Sequence, residues 1–217
     1  MKPTCGIFDP DLPSPQPLIT WRDGPALWAE WARAALFERR TVLLEAPLDD
    51  QLANQLAAEL MMLDATSDDP IQLHVNSAGG TIDAALLLID VIDLLGVPVH
   101  ALCLGQADGA AFVVFASAAR RVAHRHVKLR LCDPPVHFDG SAAEVAAWAE
   151  QHARQVERLC ERLATATHRS RDDVAEDLRR AVYFDAAQAQ AHGYVDEIAA
   201  PDAQIRPFPR RFGFHVR

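Results

Sequence analysis

The chain has 217 residues, half of them hydrophobic, and a formal net charge of −9 at pH 7. This length suits one sizeable core, and the acidic balance argues against nucleic-acid binding, which normally needs a basic surface. The sequence has neither an apolar run long enough to span a membrane nor the apolar segment of a signal peptide at residues 1–21. We therefore expect a cytoplasmic protein with no nucleic-acid or membrane partner.

The cysteines lie far apart in the sequence, at Cys5, Cys103, Cys132 and Cys160. They form neither a CxxC motif nor a cluster with histidines, so the spacing gives no support for a zinc site. Disulfides are rare in a reducing cytosol. We expect buried free thiols, and no metal or cofactor.

Strand-like and helix-like segments alternate after an N-terminal arm, residues 1–24, that is rich in Pro, Asp and Gly. Short apolar strands are predicted at 41–47, 71–80 and 97–105. Helices are predicted at 26–40, 48–67 and 81–96, and a turn followed by a helix at 106–121. This alternation predicts an α/β fold with a largely parallel sheet.

The second half of the chain is predicted to be mainly helical. A strand at 126–135 runs into prolines, and a long helix follows at 141–167 with many charges and one apolar stripe. That stripe contains Val145, Trp148, His152, Val156 and Leu163. The helix predicted at 170–181 opens with Ser170 as N-cap and Asp173 three residues later. Residues 184–199 close the domain.

The tail at 206–217, "RPFPRRFGFHVR", is basic and aromatic within an acidic protein. Two interpretations stay open. It is either a peptide that docks elsewhere or a disordered end.

Polar or glycine-rich turns follow the predicted strands at "NSAGG" (76–80), "GQADG" (105–109) and "CDPP" (132–135). Ligand sites in open α/β folds lie at the carboxyl ends of the strands. Backbone N–H groups of the first turn can hold an oxyanion, although a simple glycine turn is the alternative. Neither GxGxxG nor GxxxxGK[ST] is present.

Residues 36–199 resemble the ClpP peptidases, the proteolytic subunits of ATP-dependent Clp proteases. The best matching parts are "VNSAGGTID", similar to the family's N-S-P-G-G turn, and "AHGYVDEI", similar to its closing motif. The stretch "LGQADGAAF" corresponds to the family's G-Q-A-A-S-M-G-A. The resemblance implies a ClpP/crotonase-like fold, with residues 1–35 as arm and helix and 200–217 as a tail. It also implies that 141–167 is the protruding handle helix through which two rings stack.

The resemblance implies a Ser-His-Asp triad, of which two members are missing. The serine position falls on Gly109, or on Asp108 if the stretch is one residue short. The histidine position falls on Cys132, or on Asp133 after a shift of one. Nearby histidines are interpreted as non-catalytic: His124, His126 and the loop residue His137.

Asp177 is the one triad position that matches. Without a histidine to orient, it is expected to be a surface or interface charge paired with Arg179 or Arg180 on its own helix. The oxyanion turn of the family corresponds to Gly79, Gly80 and Ala110. Cys132 is a poor replacement nucleophile, because the adjacent Asp133 would raise the pKa of its thiol.

Three functions are consistent with this pattern. The first is a ClpP-like subunit without peptidase activity, acting as a structural or regulatory member of its own ring or of a mixed ring with ClpP-like paralogues. A Clp ATPase and peptide segments are further expected partners, the peptides binding by β-augmentation. The second is an active peptidase with a relocated nucleophile, its reactive residues drawn from Asp108, Cys132 and His137. The third is a crotonase-like protein that binds an acyl ligand. The first is favoured, because the turn and closing motif remain while the reactive groups are gone.

Overall fold

The structure is a computed structural model that describes residues 25–134, 136 and 138–199, with side chains described from residue 29 onward. The predictions for the arm at 1–24, Cys5, His137 and the tail lie outside these residues.

The helices and strands alternate through the first half of the domain, as the sequence predicts. The helices are α1 Pro25–Phe37, α2 Asp50–Asp64, α3 Ile82–Leu94, α4 Gly109–Ala116, α5 Ala142–Thr167, α6 Arg171–Arg180 and α7 Ala186–Ala191. The strands are β1 Thr41–Leu44, β2 Ile71–Ser77, β3 Val99–Asp108, β4 Arg120–Ala123, β5 Lys128–Leu131, β6 Val182–Phe184 and β7 Glu197–Ile198.

A largely parallel sheet organises the domain. Its strands run in the order β1-β2-β3-β4-β7, and every pair along this path is parallel. The far half of β3 leaves β4 and pairs with β5, also in parallel, while β6 adds to β5 in the antiparallel direction. The prediction of an α/β fold with a mostly parallel sheet is confirmed.

The core is centred on α4, a helix in which every residue is buried. The helix contains no charged side chain, and a helix that is apolar on all sides is stable only inside a core. Phe112 on this helix packs edge-on against Tyr194, with ring centroids 5.2 Å apart, and stacks on Phe184 at 6.4 Å. The closing segment of the chain is therefore fixed to the helix that follows β3.

Three differences from the prediction concern the β3–α4 junction, the end of α4 and the closing segment. Strand β3 continues to Asp108, so no turn separates it from α4. The helix predicted over 106–121 ends at Ala116, because residues 120–123 form β4 and pair with β3. The closing segment contains two short strands and a helix, which the sequence pattern did not resolve.

Helix α5 begins with a capping box in which Ser141 and Glu144 satisfy each other's backbone N–H groups. Its buried residues lie in the C-terminal third: Leu159, Cys160, Leu163 and Thr167. Residues 142–158 have no buried side chain. This first part of the helix therefore extends beyond the core, and its Gln155 side chain donates a hydrogen bond to Asp83 of α3.

Within the described part of the chain, none of the helices combines the length and apolar character needed to cross a bilayer.

Candidate active site

Strand β3 passes directly into α4 at Gly109, which has a φ of +46°. A Cβ built on Gly109 would lie 3.5 Å from the Cys132 Sγ and 3.8 Å from the Cys132 carbonyl oxygen. A side chain at position 109 would therefore face the end of β5. The two positions assigned from the sequence to the serine and the histidine are neighbours across this junction.

Asp108 lies beside the same thiol. Its side chain is 13% exposed, and its Oδ1 accepts a hydrogen bond from the Cys132 Sγ at 3.4 Å. Its Oδ2 lies 3.5 Å from the Arg130 Nη1. Asp108 stands at the N-cap of α4 but makes no capping hydrogen bond with its side chain. The carboxylate is thus directed toward β5 rather than toward the helix.

Arg130 completes a polar row across three strands. Asp108 pairs in register with Arg130, and Arg130 pairs with Tyr183 of β6. The guanidinium lies 5.1 Å from the centre of the Tyr183 ring, a cation–π distance. Sequence analysis missed this row, because the pairing of β3 with β5 and of β5 with β6 is not visible in a single strand's pattern.

The Cys132 thiol is held in its neutral form. Burial raises its pKa to about 11, and the hydrogen bond to Asp108 and the charge of that carboxylate act in the same direction. Arg130 and the Gly109 backbone oppose the shift but do not reverse it. Since the thiolate is the nucleophile, this site is the opposite of an activated cysteine.

The sequence predicts that Asp133 raises the pKa of the Cys132 thiol, and this prediction is wrong. Asp133 is half exposed and lies on the other side, with its Oδ1 3.4 Å from the His152 Nε2 of α5. The role predicted for Asp133 is filled by Asp108, which is distant in sequence and adjacent across the strands. Cys103, Cys132 and Cys160 are buried free thiols, as predicted.

The glycine turn after β2 lies against the same junction. A Cβ on Gly79 would be 3.6 Å from the Asp108 carbonyl oxygen. The Gly79 carbonyl accepts from the Leu48 N–H at 2.8 Å, and the Gly79 N–H donates to the Ser77 Oγ at 3.3 Å. Gly79 is thereby engaged within the protein through both backbone groups.

Steric contact with Leu48 leaves room only for glycine at position 80. A Cβ there would lie 2.2 Å from the Leu48 carbonyl oxygen, which itself accepts from the Thr81 N–H at 2.9 Å. Its φ of +148° adds backbone strain for any other residue. Leu48 and Gly80 form a parallel bridge that fixes the turn.

Asp177 belongs to a different cluster. Its Oδ2 accepts from the Arg169 Nη1 at 2.6 Å and from the Tyr194 hydroxyl at 3.2 Å, and Arg169 also donates to that hydroxyl at 2.7 Å. The side chains of Asp177 and Arg169 are only 13% and 20% exposed. Among the described contacts of Asp177, neither Gly109 nor Cys132 occurs.

The expected pairing of Asp177 on its own helix is therefore wrong. Arg179 pairs with Glu176 at 2.6 Å. Asp177 is not a surface charge either, because it anchors the junction of α5 and α6 to the buried Tyr194. Burial raises the pKa of that tyrosine, so its hydroxyl stays protonated and can donate.

Two of the histidines interpreted as non-catalytic, His124 and His126, lie between β4 and β5. His124 follows β4, where its N–H donates to the Cys103 carbonyl at 3.1 Å, and His126 is exposed in the turn before β5. In the described part of the chain, no group of His, Cys, Asp and Glu side chains could hold a metal ion.

The sequence model of the Clp protease family matches residues 28–202. The chain belongs to the Clp protease family. The match extends from within α1 to beyond β7, so it covers the glycine turn, the β3–α4 junction and the Asp177 cluster together. The mostly parallel sheet with its flanking helices fits a ClpP-like fold.

Proposed function

We propose that this ClpP-like chain lacks peptidase activity and serves as a structural or regulatory subunit of a Clp ring. One observation carries the proposal: Gly109 faces Cys132 at the junction where the family resemblance expects a serine and a histidine. Acyl transfer needs a nucleophile and a base within hydrogen-bond reach. Gly109 offers no side chain, and the Cys132 thiol is neutral and held by Asp108.

The Asp177 cluster supports the same proposal. A triad aspartate orients the histidine and stabilises its positive form. Here that carboxylate accepts from Arg169 and Tyr194 instead. Its negative charge is balanced by the guanidinium, so its present contacts serve packing rather than proton transfer.

A role in assembly is supported by α5. Its N-terminal part and the segment before it carry an apolar surface, in which Val145 of the helix is 39% exposed and Phe138 of the preceding segment is 42% exposed. The Phe138 ring stacks on Trp148 at 5.1 Å, and Trp148 stacks on His152 at 5.2 Å. Such a surface on a protruding helix suits an interface, and we assign it to the handle contact between rings.

Other copies of this chain or active ClpP-like paralogues would supply the partner helix. A Clp ATPase partner remains a prediction from the family resemblance, and a cytoplasmic location remains a prediction from the sequence. The N–H group of Gly79 is occupied by its hydrogen bond to Ser77. Bound peptide segments would therefore meet the N–H groups of Gly80 in the glycine turn and of Ala110 at the start of α4. Binding without cleavage is the expected outcome.

The test of inactivity is labelling of the purified full chain with a fluorophosphonate probe, together with cleavage of short fluorogenic peptides. An active Clp peptidase is the positive control. We expect neither labelling nor cleavage. Labelling that maps to any residue of the chain would overturn the proposal and identify the relocated nucleophile.

The assembly role has a separate test by analytical ultracentrifugation. We expect the wild-type chain, alone or mixed with an active ClpP-like subunit, to sediment as a ring. Val145→Lys should reduce that assembly, while Met62→Lys, at a position that is 61% exposed on α2, should not. Equal sedimentation of both variants and the wild type would refute the role assigned to α5.

A further inference from the structure

The outer side of α3 forms a groove with α5 that is both acidic and apolar. Its lining comprises Asp83, Leu86, Leu87, Asp90, Val91, Leu94 and Gln155. The α3 members recur at helical spacing, and the cavity volume is about 510 Å³. Leu94 is 75% exposed, the highest value among the exposed large hydrophobic residues of the described chain. Among residues 25–134, 136 and 138–199, nothing covers the exposed face of Leu94.

The described lining residues of the groove include two carboxylates, Asp83 and Asp90. Asp83 accepts a hydrogen bond from the neutral side chain of Gln155, and among the described lining residues none is basic. The groove between α1 and α2 differs in this respect. There Arg33 lies 3.5 Å from Glu59, so a cation is already supplied. The α3 groove is the one that would attract a basic segment.

The tail at 206–217 has the complementary composition. It contains four arginines and three phenylalanines in twelve residues of a chain whose net charge is −9. Its arginines suit carboxylates, because the guanidinium presents several donors to them. Its phenylalanines suit an aliphatic surface, because aromatic rings bury a large apolar area at little conformational cost.

The tail also starts close enough to reach this groove. Val75, Cys103, Ala123 and Ile198 stand in one register row across the sheet. Three strand spacings place Ile198 about 14 Å from Val75, on the strand that leads into α3. Residues 200–206 can extend up to about 23 Å, which exceeds the separation of Ile198 from Val75, so this linker can reach the end of β2 from which the chain enters α3.

We propose that residues 206–217 dock into the α3–α5 groove of their own chain. The arginines pair with Asp83 and Asp90, and the phenylalanine rings cover Leu87 and Leu94. Tethering favours the tail of the same chain, because a short linker gives an effective concentration of about millimolar. A docked tail makes the α3 face unavailable to other proteins.

Disulfide trapping in the full chain tests this. In a Cys5→Ser background, Gly213→Cys places a thiol between two tail phenylalanines, and Leu94→Cys places one in the groove. The matched control is Met62→Cys with the same tail cysteine, since Met62 is also exposed and lies on the neighbouring α2. The native Cys103, Cys132 and Cys160 are buried.

Under mild oxidation, the groove pair should form its disulfide at least about tenfold faster than the control pair. Thermal unfolding of each variant verifies the fold. Equal rates for the two pairs would refute docking. A mixture of isotopically heavy and light chains distinguishes own-chain links from links between copies, and mainly mixed links would refute docking on the same chain.

A charge swap tests the ionic part. Arg210→Glu with Arg211→Glu should slow formation of the groove disulfide about tenfold, and added Asp90→Lys should restore much of the rate. These tail changes lie outside the described fold. If neither the tail charge swap nor the added Asp90→Lys changes the rate of disulfide formation, the pairing of the arginines with the groove is contradicted.

Discussion

Gly109 faces Cys132, so that a side chain at position 109 would point at the Cys132 thiol. A Cβ on Gly109 would be 3.5 Å from the Cys132 Sγ, an ordinary van der Waals distance. The φ of +46° at Gly109 lies in the left-handed region, which a serine can occupy at a modest cost. The site therefore has room for a nucleophile beside the position where a base would stand.

We expect Gly109→Ser with Cys132→His to introduce slow fluorophosphonate labelling at residue 109. The new pair would sit at neighbouring positions, but Asp177 is held by Arg169 and would not orient the histidine. Loss of that orientation costs about four orders of magnitude in rate, so labelling needs long incubation. Intact-mass spectrometry measures it.

The control for this variant is Gly109→Ala with Cys132→His, which adds the same bulk without a hydroxyl. It should stay unlabelled. Labelling of the alanine control, or of the unmodified chain at another residue, would show that the reactive group lies elsewhere in the protein.

Alkylation of Cys132 should be slow at neutral pH and rise steeply above about pH 10. Burial and Asp108 raise the pKa of this thiol to about 11, so about one thousandth is ionised at pH 8. Asp108→Asn removes a negative charge and lowers the pKa, and we expect alkylation at pH 8 to become about tenfold faster. Peptide mass spectrometry after timed quenching measures the rate.

Cys103 is the internal control in the same samples. Burial raises the pKa of its thiol to about 12, and it lies in the middle of β3 away from Asp108. Its rate should not respond to Asp108→Asn. A Cys132 rate that levels off below pH 8 would contradict the neutral thiol.

The sequence predicted the α/β alternation and the largely parallel sheet because those features are local and periodic. Apolar strands and amphipathic helices of the first hundred residues are visible in single segments. The N-cap of α6 was also visible, and Ser170 accepts from the Asp173 N–H at 3.1 Å. Strand β4 was missed, because "RRVA" follows an apolar helix without a strong breaker and is fixed by pairing with β3.

The contacts of the candidate site could not be predicted in the same way. Asp108 meets Cys132 only because the far half of β3 pairs with β5. Asp177 meets Tyr194 only because the closing segment packs beneath α4. Both relationships join residues distant in sequence, so a neighbour in the chain, Asp133 or Arg180, was chosen in their place.

Asp177→Asn should destabilise the fold by about 2 kcal/mol, because a mostly buried guanidinium loses its charged acceptor. Arg169 would keep its hydrogen bond to the Tyr194 hydroxyl but not the ion pair. Urea unfolding followed by circular dichroism measures the change. Asp172→Asn, at an exposed position in the first turn of the same helix, should cost about 0.5 kcal/mol. Equal losses of unfolding free energy for Asp177→Asn and Asp172→Asn would mean that the contacts of Asp177 with Arg169 and Tyr194 add no stability beyond that of an exposed helix carboxylate.

Gly80→Ala should destabilise the protein by at least about 3 kcal/mol, since contact and backbone strain act together. The new Cβ would lie 2.2 Å from the Leu48 carbonyl oxygen, and that carbonyl is fixed by the Thr81 N–H. Gly79→Ala is the matched variant, because its Cβ would meet only the Asp108 carbonyl at an ordinary 3.6 Å. Its φ of +127° strains the backbone of an alanine, and without a close contact we expect a cost of about 1–2 kcal/mol. Thermal unfolding of both variants should rank Gly80→Ala as much the more damaging, and the reverse order would contradict the packing of the turn against Leu48.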